Sequence, residues 1–129
     1  MELNDLLDEV CNKYRIDASR IYMTGLSMGG YGTWSMATQY PQRLAGIAPV
    51  CGGSDVNDAL QLKGLPVWAF HGEKDNVVPF DRSLRMVEAL WKTEIDVKFT
   101  TYPDAMHDSW TETYANPKLY EWMLSCRKQ

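Results

Sequence analysis

Leu3, Leu6, Leu7, Val10, Cys11 and Tyr14 recur at steps of three and four residues, which gathers them on one broad face of an amphipathic helix. Such a helix must lie against something flat, and it is expected to cover one face of a sheet. Turn chemistry in Asp17-Ala18-Ser19-Arg20 comes next, and the apolar stretch Ile21-Tyr22-Met23-Thr24 running into Gly25 predicts the first strand. The next helix spans Ser27 to Gln39 and stops at Pro41. Leu44-Ala45-Gly46-Ile47-Ala48-Pro49-Val50 is almost continuously apolar, the mark of a strand covered on both faces, and the turn Gly52-Gly53-Ser54 closes it. Val67-Trp68-Ala69-Phe70 predicts a third strand, and Leu84, Val87, Leu90 and Trp91 stripe a helix that begins near Pro79. Val97 to Tyr102 is the fourth strand. The last helix takes Asn116 as cap and Pro117 as first residue, with Leu119, Tyr120, Met123 and Leu124 expected to face inward.

Strands alternating with helices imply an α/β fold: about four parallel strands joined by right-handed crossovers, with helices on both faces. Ligands on such sheets bind beyond the carboxyl ends of the strands. The length, 129 residues, fits a single domain with one real core, and no linker, repeat or low-complexity tract divides it. Net charge is -4, with thirteen Lys and Arg scattered among seventeen acids, which argues against nucleic acid as a partner. The apolar stretches are only strand length and the amino terminus is acidic, so neither a membrane span nor a signal peptide is expected. Cys11, Cys51 and Cys126 form no C-x-x-C motif and cannot all pair within the chain, which favours buried thiols and a cytoplasmic setting.

The pentapeptide Gly25-Leu26-Ser27-Met28-Gly29 lies between a predicted strand and a predicted helix, the setting of a nucleophile elbow. Glycines two residues either side of the serine relieve collisions in a tight turn and leave the hydroxyl exposed. The motif alone would arise by chance roughly once in twenty-five chains of this length. Its weight comes from the residues placed after later strands: acids after the second and third, and a histidine after the fourth. Ser27 is the candidate nucleophile, and the Met28 N–H, at a helix amino end, is a candidate donor to an oxyanion. Of the two histidines, His71 ends a strand, where a structural hydrogen bond is expected, and elimination leaves His107 as general base. Asp75 is the candidate acid that orients the imidazole, with Asp55 and Asp58 as rivals. Tyr31, Trp34, Met106 and Trp110 could wall a substrate pocket, although Trp34 sits at a spacing more usual for core. A metal site built from His71, Glu73, Asp75 and His107 lacks an H-E-x-x-H or paired-cysteine spacing, so neither metal nor cofactor is expected.

Across nearly the whole chain these motifs resemble the α/β-hydrolase superfamily, in particular its dienelactone-hydrolase, carboxylesterase and prolyl-oligopeptidase-like branch. Residues Arg20 to Gly30 are similar to that branch's elbow, His71-Gly72 with Asp75 and Val78-Pro79 to its acid loop, and His107-Asp108-Ser109-Trp110 to its histidine loop. The resemblance implies Asp75 over Asp55 and Asp58, and a serine hydrolase of small-molecule carboxylic esters, with peptides less favoured. It also implies what this sequence lacks. The elbow of the full fold comes after the fifth of eight strands, and here it comes after the first, so residues 1–129 read as a hydrolase-like domain without the amino-terminal strands. Two consequences are expected: an unpaired edge on the nucleophile strand, covered by forming a homo-oligomer, and a missing second oxyanion donor. A catalytically weak or silent module for binding or assembly is the alternative reading.

Overall fold

The computed structural model describes residues 2–62, 64–93 and 97–128. Its elements are α1 (Glu2–Lys13), β1 (Tyr22–Leu26), α2 (Met28–Gln39), β2 (Gly46–Val50), β3 (Val67–Gly72), α3 (Asp81–Trp91), β4 (Val97–Tyr102), α4 (Trp110–Ala115) and α5 (Pro117–Ser125). Short 3-10 segments at Pro41–Arg43 and Val56–Leu62 lead into β2 and β3. The four strands are parallel and lie in sequence order, β1-β2-β3-β4, with Tyr22 opposite Gly46 and Val67 opposite Val97. All five residues of β2 are buried, as its unbroken apolar run predicts for a strand covered on both faces.

Alternation along β2 and β3 divides the core. Ile47, Val67 and Ala69 point toward Trp34, Met36 and Ala37 of α2, Ala59 and Leu62 of the 3-10 segment, and Met86, Val87 and Leu90 of α3. Ala48, Val50 and Phe70 point the other way, toward Leu119, Trp122 and Cys126 beside α5. Helices therefore cover both faces. No helix among the described residues is long and apolar enough to cross a membrane.

Three sequence expectations are corrected. On α5, Tyr120 and Leu124 are exposed, and the inward stripe is Leu119, Trp122, Met123 and Cys126. That stripe obeys the i, i+3, i+4, i+7 rule, with the helix phase set by Pro117 at its start. On α3, Ser83, Met86, Val87 and Leu90 form the same kind of stripe, while Trp91 lies outside it and its indole N–H donates to Val97 O at 3.2 Å. On α1, Leu3 and Leu6 are 39% and 54% exposed, and Leu7 is its residue packed against the main core. Polar contacts tether the helix instead: Arg43 Nη1 donates to Asn4 Oδ1 at 2.8 Å and to Asp8 Oδ1 at 2.6 Å. The short α4 is not predicted by the sequence pattern, because six residues are too few to display a periodic face.

Candidate active site

The turn from β1 to α2 places Ser27 in a conformation that L-residues avoid, φ 54° and ψ −114°, which costs on the order of 1–3 kcal/mol and persists only where neighbours enforce it. Those neighbours are on β2. The Ser27 N–H donates to Val50 O at 3.0 Å and lies 3.3 Å from Cys51 Sγ. Cys51 itself has φ 41°, so the two non-glycine residues with positive φ among the described residues touch each other. The glycines are not equivalent. A Cβ at Gly25 would strike the Gly29 backbone, and one at Gly52 the backbone of Gly30 and Tyr31, whereas one at Gly29 would meet nothing.

At the end of β3 the chain turns so that Asp75 Oδ1 accepts the N–H groups of Val77 (2.9 Å) and Val78 (2.8 Å). Its Oδ2 takes His107 Nδ1 at 2.8 Å. Burial opposes the charged carboxylate, but the His107 hydrogen bond and the two backbone N–H groups outweigh it and hold its pKa below the ordinary value. His107 lies beyond β4, its Nε2 2.9 Å from Ser27 Oγ. A carboxylate can only accept, so Nδ1 carries the proton and Nε2 is left to accept from the serine hydroxyl. Trp110 stands edge-on to the imidazole, with ring centroids 5.4 Å apart and planes at 90°.

His71 supports this loop from below. It is fully buried, its Nε2–H donates to Val78 O at 2.8 Å, and the same nitrogen is 3.4 Å from Asp75 Oδ2. Burial pushes its pKa down, so the ring is neutral and Nδ1 accepts. Ser83 Oγ lies 2.7 Å from Nδ1 and 3.1 Å from Gly52 O. One hydroxyl proton cannot serve both fully, and the shorter contact takes it.

The remaining candidates separate clearly. Met28 opens α2, where the first N–H groups have no intrahelical acceptor, and its side chain is 85% exposed. Tyr31 is one turn along α2, half exposed, with its N–H donating to Ser27 O. Trp34 is fully buried core. Asp55 caps its own turn by accepting the Asn57 N–H at 2.9 Å, and no contact joins it or Asp58 to His107. A cleft of about 700 Å³ beside the histidine is lined by Tyr102, Met106, His107, Thr111 and Glu112 among others. A cavity of about 750 Å³ touching Leu44, Ala45 and Pro66 lies at the opposite, amino ends of the strands and is remote from this chemistry. Sequence reasoning missed Cys51 as a neighbour of Ser27. Its position right after a buried strand was the available signal.

The sequence profile of the phospholipase/carboxylesterase family matches residues 1–118. The chain belongs to that family. It is similar to a bifunctional acetylxylan esterase/xylanase of Neocallimastix patriciarum, 28% identical over 93% of this chain and 17% of that protein. It is also similar to poly(3-hydroxyalkanoate) depolymerase C of Paucimonas lemoignei, 42% identical over 41% of this chain and 13% of that protein. Among solved structures, a thermostable esterase matches with a TM-score of 0.95 and 36% identity, over 98% of this chain and 36% of the esterase. An acylaminoacyl peptidase of Pyrococcus horikoshii, at 18% identity and a TM-score of 0.84 over 98% of this chain and 27% of the peptidase, shares the fold. The chain thus spans well under half the length of each of these proteins.

Proposed function

We propose that this site is the catalytic centre of a serine hydrolase of carboxylic esters working through an acyl-enzyme. One observation carries the reading: an unbroken hydrogen-bond chain from Ser27 Oγ through His107 to the ionised Asp75. As Ser27 Oγ bonds to the acyl carbon, its proton passes to His107 Nε2 and the carbonyl π electrons move onto oxygen. The Met28 N–H is the proposed donor to that oxyanion. Collapse re-forms the carbonyl and breaks the ester C–O bond, and the departing alkoxide takes the proton from Nε2. Water then repeats the sequence with His107 as base, releasing acid and free Ser27. Asp75 stays ionised throughout and stabilises the imidazolium.

The names of two relatives, an acetylxylan esterase and a polyhydroxyalkanoate depolymerase, favour an ester over an amide as substrate. Tyr31 and Trp110 border the site and are the proposed substrate contacts, with Trp110 also bracing His107. An oxyanion hole usually has a second donor, and lacking one costs about 2.7–4 kcal/mol, or roughly 10²- to 10³-fold in rate.

A fluorophosphonate probe is expected to label native protein, and Ser27→Ala to abolish both labelling and turnover of short aryl esters. Folded protein that takes no Ser27-dependent label would defeat the proposal.

A second reading, a weak or silent module acting in binding or assembly, is favoured by β1, which lies at the sheet edge and has no buried residue. We propose that a second copy of the chain covers this edge. Light scattering should then give at least a dimer, and a stable monomer at micromolar concentration would count against it.

A further inference from the structure

Cys51 has no part in the acyl-transfer steps, yet it sits under them. The residue comes directly after β2, is fully buried, and holds its sulfur 3.3 Å from the Ser27 N–H. The donor atoms of Cys51, Asp75 and His107 lie within 4.8 Å of one another. One sulfur, one imidazole nitrogen and one carboxylate oxygen therefore converge on a small volume. Ser109 lies beside them: its buried hydroxyl makes no well-formed hydrogen bond, and its polar neighbour is the same sulfur, so it stands ready as a further oxygen donor.

We propose that Cys51, Asp75 and His107 form a binding site for a thiophilic divalent cation of the zinc type, and that occupancy switches the hydrolase off. The donor set is the mixed S, N, O kind that suits zinc and excludes magnesium or calcium, which take oxygen. Zinc bonds of about 2.0–2.3 Å put tetrahedral ligands roughly 3.3–3.8 Å apart, so the cluster needs to contract by about 1 Å at its widest, while His107 Nδ1 and Asp75 Oδ2, 2.8 Å apart, part by about 0.5 Å to admit the ion. Binding breaks the Cys51 S–H bond, releases that proton to solvent and forms the S–metal bond. Asp75 contributes its existing negative charge, and the His107 proton moves from Nδ1 to Nε2, which breaks the hydrogen bond to Asp75 and frees the Nδ1 lone pair for the metal. Ser109 Oγ or a water completes four ligands. With Asp75 and His107 held by the metal, the imidazole no longer accepts the Ser27 proton. The inhibition rests on the esterase reading, whereas metal binding does not.

The test uses metal-stripped protein, ZnCl₂ for activity and CoCl₂ as a spectroscopic probe. Zinc is expected to suppress aryl-ester turnover and fluorophosphonate labelling by at least about tenfold, and EDTA to restore both. Cobalt should give a thiolate-to-metal charge-transfer band. Cys51→Ala and Cys51→Ser should lose the band and resist zinc, each compared with its own metal-free rate. Asp75→Asn keeps the side-chain shape and should weaken cobalt affinity by about 10- to 100-fold while preserving the band. No thiolate band in the native protein, or equal zinc sensitivity in native protein and both Cys51 variants, overturns the site. A band in protein without esterase activity supports the site and refutes the esterase reading. Activity without the band refutes the site alone.

Discussion

β1 and β2 pair along their whole length, Tyr22 with Gly46 through Leu26 with Val50, yet they live in different surroundings. Every residue of β2 is buried, and none of β1 is. Ser27 hangs from the exposed strand, and the groups that hold its amide come from the buried one: Val50 O and Cys51 Sγ. The difference teaches that the strain at the β1–α2 turn is braced from one flank. Backbone that costs on the order of 1–3 kcal/mol is maintained by a neighbour with a full core behind it.

Truncating each strand should expose this asymmetry most strongly. Ile47→Ala removes a fully buried side chain from β2 and should cost about 2–5 kcal/mol in urea unfolding, whereas Met23→Ala on β1 should cost clearly less, about 1–2 kcal/mol. Equal losses would mean that β1 is as well supported as its neighbour. The glycines sharpen the same point. Gly25→Ala drives a methyl group into the Gly29 backbone and should destabilise by roughly 1–3 kcal/mol, with loss of Ser27 labelling. Gly29→Ala meets open space inside α2 and should be neutral or stabilising by up to about 1 kcal/mol. Both variants failing alike would restore the symmetric view of the motif.

The smallest effect concerns acid, and it belongs to the buried side. Burial keeps His71 neutral in the folded protein, while in the unfolded chain it takes a proton below its ordinary pKa of 6.5. Stability therefore declines as pH falls from about 6.5 toward the lowered folded value. Asp75 acts in a separate, lower window: its folded pKa lies below the ordinary 3.8, so its contribution is present above that value and is lost as pH falls through the folded one. The urea midpoint should accordingly drop in two stages. His71→Gln should flatten the upper stage and leave the lower, and an unchanged upper stage would remove His71 from this account.

Much of this architecture was legible in the residues. The run Leu44 to Val50 announced a buried strand because a strand covered on both faces has no polar side to show. Motif order also brought Ser27, Asp75 and His107 forward as candidates, since parallel strands deliver their succeeding loops to one end of the sheet. Helix phase was less readable. On α5, Tyr120 and Leu124 are as apolar as the residues that turn inward, so composition could not tell the stripe from its flank. Nor could α1's periodicity reveal that Leu3 and Leu6 would remain uncovered, because a helix declares its apolar face and not what meets it.

The sequence by itself determined the alternation of strands and helices, the glycine-flanked serine, and the order of serine, acid and histidine. These depend on local spacing and on which residues a tight turn admits. Only the tertiary structure decided that the Ser27 hydroxyl and the Asp75 carboxylate stand 2.9 and 2.8 Å from the two nitrogens of the His107 imidazole. It also decided that Cys51 lies beneath them and that β1, which leads into Ser27, is an edge strand. Contacts between residues 80 and 32 positions apart depend on strand register and core packing, which no local pattern encodes.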